Sequence, residues 1–263
     1  AIRPMSNFFI YEALILEQQP GSTGFSLYTP GHLIWLAAIV IVSIIASISY
    51  RRLSDRERDR TRRFFALAIL IAEICKDLIL AIAGAPMIKY LPLHLCSYAI
   101  ICMLAEAFCR RREWHDLAGQ MMAYAFFPGA LAALLFCNWT IYPFFTFMNI
   151  FSFVFHGWIV IYFVMLYRAG EVRPDYKGLW KTALVIGIIA VPVYIFNRIF
   201  GTNYLFLNEA QEGSPLVAVW NIFGTRFGQA GYLAGVVLLV VVIFHILYLV
   251  YMVMDKIKTR KDH

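Results

Sequence analysis

Seven apolar stretches separated by polar, mostly basic connections set the pattern of this chain. They lie at about 32–50, 64–83, 92–109, 117–137, 145–167, 182–199 and 230–254. Each is near the roughly 20 residues that a helix needs to cross a hydrocarbon core. Ahead of them, Phe8, Phe9, Tyr11, Leu14 and Ile15 form an apolar face with Glu12 and Glu17 outside it. That run is too short to span, and the pattern predicts an interfacial helix over about 1–20. A cleaved signal peptide fits it poorly, because the hydrophobic run contains Glu12. The longest connection, 200–229, holds Leu205, Phe206, Leu207, Val217, Val219 and Trp220, an apolar content high for a water-exposed loop. It is expected to fold back onto the membrane surface or over the mouth of the bundle. The predicted fold is therefore all-α: one membrane-embedded bundle over 1–263 with seven transmembrane helices.

Composition agrees and charge adds orientation. Of 263 residues, 61% are hydrophobic and 15% charged, far from the balance of a soluble domain. The basic residues are distributed by side. Arg51 to Arg63 carries seven arginines, Arg110 to Asp116 three, Arg168 to Lys181 four basic residues and the tail after Asp255 another four. Only Arg3, Lys89, Arg198 and Arg226 fall on the other side. Counted by the positive-inside rule, the N-terminus lies outside and the C-terminus in the cytoplasm of a multi-pass plasma-membrane protein. The net charge of +7 then belongs at the lipid headgroups, and nucleic acid is not an expected partner. Five cysteines without paired CxxC spacing suggest neither a disulfide framework nor a zinc knuckle. No cofactor is expected.

Ionisable groups inside spans mark function by default. Glu73 and Asp77 share a face of the second span, with Lys76 three residues from Glu73. Thr146, Asn149, Ser152 and His156 recur at helical spacing on the fifth. His156 and Glu73 lie at similar depth and are plausible partners. His32 caps the start of the first span, where an interfacial histidine in water is the plain alternative. His115 and His263 are expected to be solvated and His245 to be a packing histidine.

The most suggestive stretch is Leu91-Pro92-Leu93-His94-Leu95-Cys96-Ser97-Tyr98. It opens the third span with Pro92 in the first turn and places His94 and Cys96 beside free helix N–H groups. His94, Tyr98, Cys102 and Glu106 share one face, whereas Cys96 lies about 200° from His94 on an ideal helix. A base for Cys96 must then come from another span, with His156 or His32 as candidates. A metal site from His32, His94, Cys96 and His156 ranks low without ligands at fixed local spacing.

His32, the Leu-Pro-Leu-His-Leu-Cys run at 91–96, His156, and Gly201-Thr202-Asn203-Tyr204-Leu205-Phe206-Leu207 occur in an order and spacing that resemble the YwaF-like family of bacterial integral membrane proteins. That family is in turn distantly similar to eukaryotic multi-span proteins that remodel phospholipid acyl chains. The resemblance implies a membrane-embedded lipid acyltransferase or transacylase with phospholipid as its partner. Cys96 would carry the acyl group and His156 or His94 would act as general base. Glu73 or Asp77 would orient the histidine, and Asn203 or a helix-terminal N–H would hold the oxyanion. His32, Tyr98, Asn149 and Tyr204 complete the expected substrate surroundings. The alternatives are a proton- or ion-coupled transporter built on Glu73, Lys76, Asp77 and His156, and a seven-helix protein that binds a ligand without catalysis.

Overall fold

The computed structural model describes residues 7–9 and 24–261. The interfacial helix expected over 1–20 thus lies outside the described residues, apart from a 3₁₀ turn at Asn7–Phe9. The helices are α1 (Pro30–Arg51), α2 (Asp55–Ile82), α3 (Leu95–Phe108), α4 (Arg112–Leu135), α5 (Phe147–Ala169), α6 (Tyr176–Phe200), α7 (216–227) and α8 (229–261). No strand occurs among the described residues. Five stretches are long and apolar enough to cross a membrane: α1, α4, α5, α6 and the run Leu216–Ile257. Two fall short for physical reasons. α2 carries Glu73, Lys76 and Asp77 in its apolar half, and α3 has only 14 residues.

Local chemistry sets the helix ends. Pro30 opens α1, where its missing N–H costs nothing. The arginine-rich segment expected as a loop continues α2 instead, because Ser54 starts it with a capping box. The Glu57 carboxylate accepts from the Ser54 hydroxyl and N–H at 2.6 and 2.8 Å, which holds its pKa below the usual carboxylate range. α3 begins at Leu95 with His94 as its N-cap residue. Pro92 therefore stands before the helix, and His94 does not share the helical face expected for it. In α4 a π turn over Met122–Phe126 precedes Pro128, and the Ala123 carbonyl accepts from Tyr251 Oη of α8 at 2.9 Å.

The apolar connection after α6 does fold back, as a helical hairpin. Gly228 (φ 63°, ψ −153°) takes a conformation almost confined to glycine and breaks the helix there. A Cβ on Gly231 would meet the Phe223 carbonyl at 2.4 Å, and one on Gly235 would meet Val219 at 2.6 Å. α7 thus lies antiparallel against α8, with small residues allowing the close approach.

Junctions between helices gather at two ends. At the arginine-rich end, Tyr50 and Arg58 reach Glu171, Arg62 reaches Glu106 and Glu171, and Gln120 donates to the Arg173 carbonyl. At the far end, Phe25 N–H donates to Thr140, Gln211 to Phe136, and Tyr204 bridges Ile88 and Leu91. α1 to α6 therefore alternate in direction, α8 runs opposite to α6, and the short α7 runs the same way as α6. Between the ends lies a core built on Met103, Tyr124, Phe126, Phe153, Tyr162 and Phe163.

Candidate functional site

α5 supplies the best-prepared base. His156 donates Nδ1–H to the Ser152 carbonyl at 2.7 Å, one turn earlier on its own helix. A carbonyl only accepts, so this bond fixes the tautomer and leaves the lone pair on Nε2. Nε2 has no hydrogen-bond partner among the described residues. Trp139 stacks on the imidazole, with ring centroids 5.0 Å apart and planes 13° from parallel, and Phe155 meets it edge-on. The ring is clamped by one edge and one face, with its basic nitrogen open.

His94 faces the same region from the start of α3, within electrostatic reach of His156 and Lys76. Its imidazole makes no hydrogen bond among the described residues. Its contacts are aromatic, with Tyr204 edge-on at 4.9 Å and Phe206 at 5.7 Å. The loop that covers it is held under strain, since Leu205 and Phe206 both have positive φ (56° and 54°). Such conformations persist where surrounding bonds over-determine them. Here Asn197 supplies those bonds. Its Oδ1 accepts from Tyr204 N–H and Thr202 Oγ1–H, and its Nδ2 donates to the Tyr204 carbonyl. Tyr204 Oη in turn donates to the Ile88 carbonyl and accepts from Leu91 N–H. Tyr204 is thus a buried brace against His94. Asn203 closes its own turn, accepting from Asn208 and Glu209 N–H and donating to the Glu209 carbonyl.

Cys96 stands in the first turn of α3, half-buried and free, and forms no hydrogen bond to any histidine. No side chain caps the amides of this turn. The contact between a cysteine and a histidine lies elsewhere, where Cys137 Sγ approaches His32 Nε2 at 3.7 Å. That pair is structural. His32 Nδ1 accepts from Tyr28 N–H, so Nε2 carries the proton, which it donates to the Leu134 carbonyl at 2.8 Å. Cys137 donates to the same carbonyl. Fully buried and fully bonded, His32 ties α1 to the end of α4 and has no lone pair to offer. It is not the water-exposed histidine of the alternative reading.

Glu73 does not meet His156. Its carboxylate pairs with Lys76 at 2.7 Å, Lys76 also lies 3.1 Å from Asp77 Oδ1, and Nζ sits 5.6 Å from the Phe151 ring centre. The Ser152 carbonyl takes the orienting role expected of Glu73. Asn149 is fully buried and donates to the Phe144 carbonyl, with Oδ1 unpartnered. The buried Trp139 and Trp35 indole N–H groups are unpartnered too. Both indoles pack on Phe153, three residues before His156. Tyr98 is half-buried against the main core, and its hydroxyl makes no hydrogen bond among the described residues. No cluster of three His, Cys, Asp or Glu able to hold a metal occurs among the described residues.

A second polar cluster went unread in the sequence. Glu106, whose side chain is fully buried, accepts from Arg62 at 3.1 Å, from His115 Nε2 at 3.0 Å and from Tyr162 Oη. Arg62 also pairs with Asp59 and Glu171, and burial opposes its charge less than these carboxylates, Glu106 foremost, raise its pKa. His115 is thus half-buried and paired rather than solvated. Trp139 carried no signal, being one tryptophan in a short connection. Asn197 did carry one, as a lone amide within an apolar helix.

No curated protein and no solved structure matches the chain significantly. One family model does, over residues 27–249, from the start of the first helix to the last. Its name is TMEM164 rather than the YwaF-like label the motifs suggested. The chain belongs to the TMEM164 family of multi-span membrane proteins.

Proposed function

We propose that this protein transfers acyl chains between phospholipids at a site in the far half of the bundle. In this reading α1–α6 and α8 cross the membrane, and the arginine-rich end faces the cytoplasm by the positive-inside rule. The site then serves the outer leaflet. The observation that carries the chemistry is His156, a histidine held at membrane depth with Nδ1–H spent on Ser152 and Nε2 open. Cys96 Sγ gives its proton to Nε2 and attacks an ester carbonyl. The tetrahedral adduct collapses, the lysophospholipid oxygen leaves with the proton from His156, and Cys96 keeps the acyl group as a thioester. A second lysolipid hydroxyl, deprotonated by the same nitrogen, attacks the thioester and restores the thiol. Uncapped amides of the first turn of α3 suit the oxyanion. His94, braced by Tyr204, lines the approach. Cys96 and His156 share no hydrogen bond, and catalytic bonds of this kind are often made only in the complex with substrate.

The test is a covalent one. Purified protein in vesicles with a labelled phospholipid should form a hydroxylamine-sensitive acyl adduct, lost in Cys96→Ser and in His156→Ala and retained in His32→Gln. No adduct and no acyl exchange with any phospholipid class would end this reading. A transporter would instead need a polar path from Asp77 to Glu106. The α2 residues 64–72 and the α3 residues 99–105 between them are apolar apart from Cys102.

A further inference from the structure

From 201 to 225, between the end of α6 and the middle of α7, the chain carries Glu209 and Glu212 and no lysine or arginine, although its net charge is +7. This segment forms a pocket of about 250 Å³, lined by Asn208, Glu209, Ala210, Val217 and Trp220. Two hydrogen-bond acceptors stand in the lining. Asn208 donates Nδ2–H to the Thr202 carbonyl at 2.9 Å, and since a carbonyl only accepts, the atom left over is the amide oxygen. That Oδ1 is buried and has no hydrogen-bond partner among the described residues. The Glu209 carboxylate is exposed and enters no ion pair or hydrogen bond with the described residues. The turn beneath both is braced. Asn203 Oδ1 accepts from the Asn208 and Glu209 N–H groups, and its Nδ2 donates to the Glu209 carbonyl. The rest of the lining is apolar or aromatic. Val217 and Trp220 share a face of α7. The indole meets Tyr232 of α8 at 5.5 Å and lies against Gly224, where a Cβ would come within 2.5 Å of the ring.

We propose that this pocket binds a primary alkylammonium group. The ammonium pairs with the Glu209 carboxylate and donates to Asn208 Oδ1. The carbons beside it pack on Ala210, Val217 and the Trp220 indole, whose ring also attracts a cation. Other ligand classes fit less well. An anion would face a carboxylate and an amide oxygen, and a neutral alcohol gains nothing from the charge of Glu209. A calcium ion takes about six to eight oxygens, and the side chains of Ala210, Val217 and Trp220 offer it none. A quaternary ammonium has the charge but no N–H for Asn208 Oδ1. The amine arrives either free from the water phase or as the headgroup of an aminophospholipid in the adjacent leaflet. The inference stands apart from acyl transfer, since none of the residues assigned to that chemistry lines the pocket.

The experiment places the full chain in phosphatidylcholine nanodiscs and adds a soluble alkyl diazirine bearing a primary amine. After photolysis, adducts at Val217 and Trp220 are mapped by mass spectrometry, because carbenes esterify an exposed carboxylate such as Glu209 whether or not the probe binds. Both sites should label well above the exposed Ile141 and Phe145, and excess propylamine should remove that labelling. Glu209→Gln should lower it by about tenfold, the effect of losing one charge-assisted hydrogen bond, and Glu209→Lys should abolish it. Both substitutions fall on an exposed side chain without a partner among the described residues, so the fold is not at stake. A trimethylammonium analogue should label less than the amine, and an alcohol analogue least. Labelling no greater than at Ile141 and Phe145, equal labelling by the alcohol, or labelling unchanged in both Glu209 variants overturns the proposal. Equal labelling by the trimethylammonium analogue overturns the role given to Asn208 Oδ1. Nanodiscs containing phosphatidylethanolamine separate the two sources: loss of probe adducts assigns the pocket to a lipid headgroup, and unchanged adducts assign it to a free amine.

Discussion

Replacing Glu106 with alanine gives the sharpest measure of what holds the arginine-rich end together. Its carboxylate is fully shielded and accepts from three side chains brought by three other helices: Arg62 of α2, His115 of α4 and Tyr162 of α5. Truncation strands a buried tyrosine hydroxyl and removes one partner of a charge pair. Breaking a buried pair from one side costs about 3–5 kcal/mol. Arg62 keeps Asp59 and Glu171, which places the expected loss near about 3 kcal/mol. For a chain of this size that corresponds to a drop in thermal midpoint on the order of 10 °C. Thiol-reactive fluorescence suits the assay, because Cys102 and Cys137 are buried and become reactive only on unfolding. Tyr162→Phe removes one donor and leaves the ion pairs, so about 1–2 kcal/mol is expected. The double variant should lose less than the sum of the two, since the Tyr162 hydroxyl no longer matters once Glu106 is gone. A midpoint within 2 °C of the parent for Glu106→Ala, or strict additivity of the pair, would refute the account of this cluster as a shared buried anion.

Other expectations are briefer. Asn197→Ala should destabilise by about 2–3 kcal/mol, because it leaves the Tyr204 amide and carbonyl and the Thr202 hydroxyl without their partner; proteolysis at 201–207 should speed up with it. Gly228→Ala forces a Cβ into a conformation reserved for glycine and should cost about 2 kcal/mol, read as greater hydrogen exchange over α7 without change in α1. Glu57 has a depressed pKa, first through the Ser54 hydroxyl and then its amide. Its contribution to the start of α2 is present above the ordinary carboxylate pKa and fades as pH falls through the lowered value. The protection factors of amides in the first turn of α2, with intrinsic exchange divided out, should therefore fall on acidification in the parent and change less in Glu57→Gln.

Helix content was legible because it is written in the length of each apolar run. Boundaries were less so where local chemistry overrides hydropathy. The seven arginines after α1 read as a loop by charge, yet Ser54 and Glu57 together start a helix within them. Pro92 read as a first-turn residue, and the helix waits three residues more for Leu95. Periodicity found the α5 stripe and brought out His156 but gave it the wrong partner. Equal depth in two helices says nothing of azimuth, and Glu73 had Lys76 three residues away. The His32–Cys137 contact joins residues 105 apart in sequence, and no local pattern announces it. Glu106 was visible as a lone charge, while the donors that satisfy it were hidden among cations attributed to water.

The two halves of the bundle treat buried polarity in opposite ways, and that contrast argues for where chemistry resides. At the arginine-rich end the carboxylates of Glu106 and Glu171 accept from Arg58, Arg62, His115, Tyr50 and Tyr162. The two guanidinium Nε atoms and the Thr182 hydroxyl of α6 are left over in that half. In the far half the open groups are of another kind. Asn149 Oδ1 is an acceptor, the Trp35 and Trp139 indoles are donors, and His156 Nε2 is a base, these four close to Phe153 on α5, while Asn208 Oδ1 and, outside its ion pair with Lys76, Asp77 Oδ1 are open acceptors elsewhere. A buried polar atom without a partner costs about 1–3 kcal/mol, and a helix surrounded by lipid cannot borrow water for it. Phenylalanine at 139 would keep the stack on His156 and remove the orphaned N–H, so stability alone favours that replacement. Trp139→Phe should therefore raise or preserve the thermal midpoint, and it should slow acyl transfer if the indole N–H meets substrate. A variant both more stable and as active as the parent would reduce Trp139 to packing.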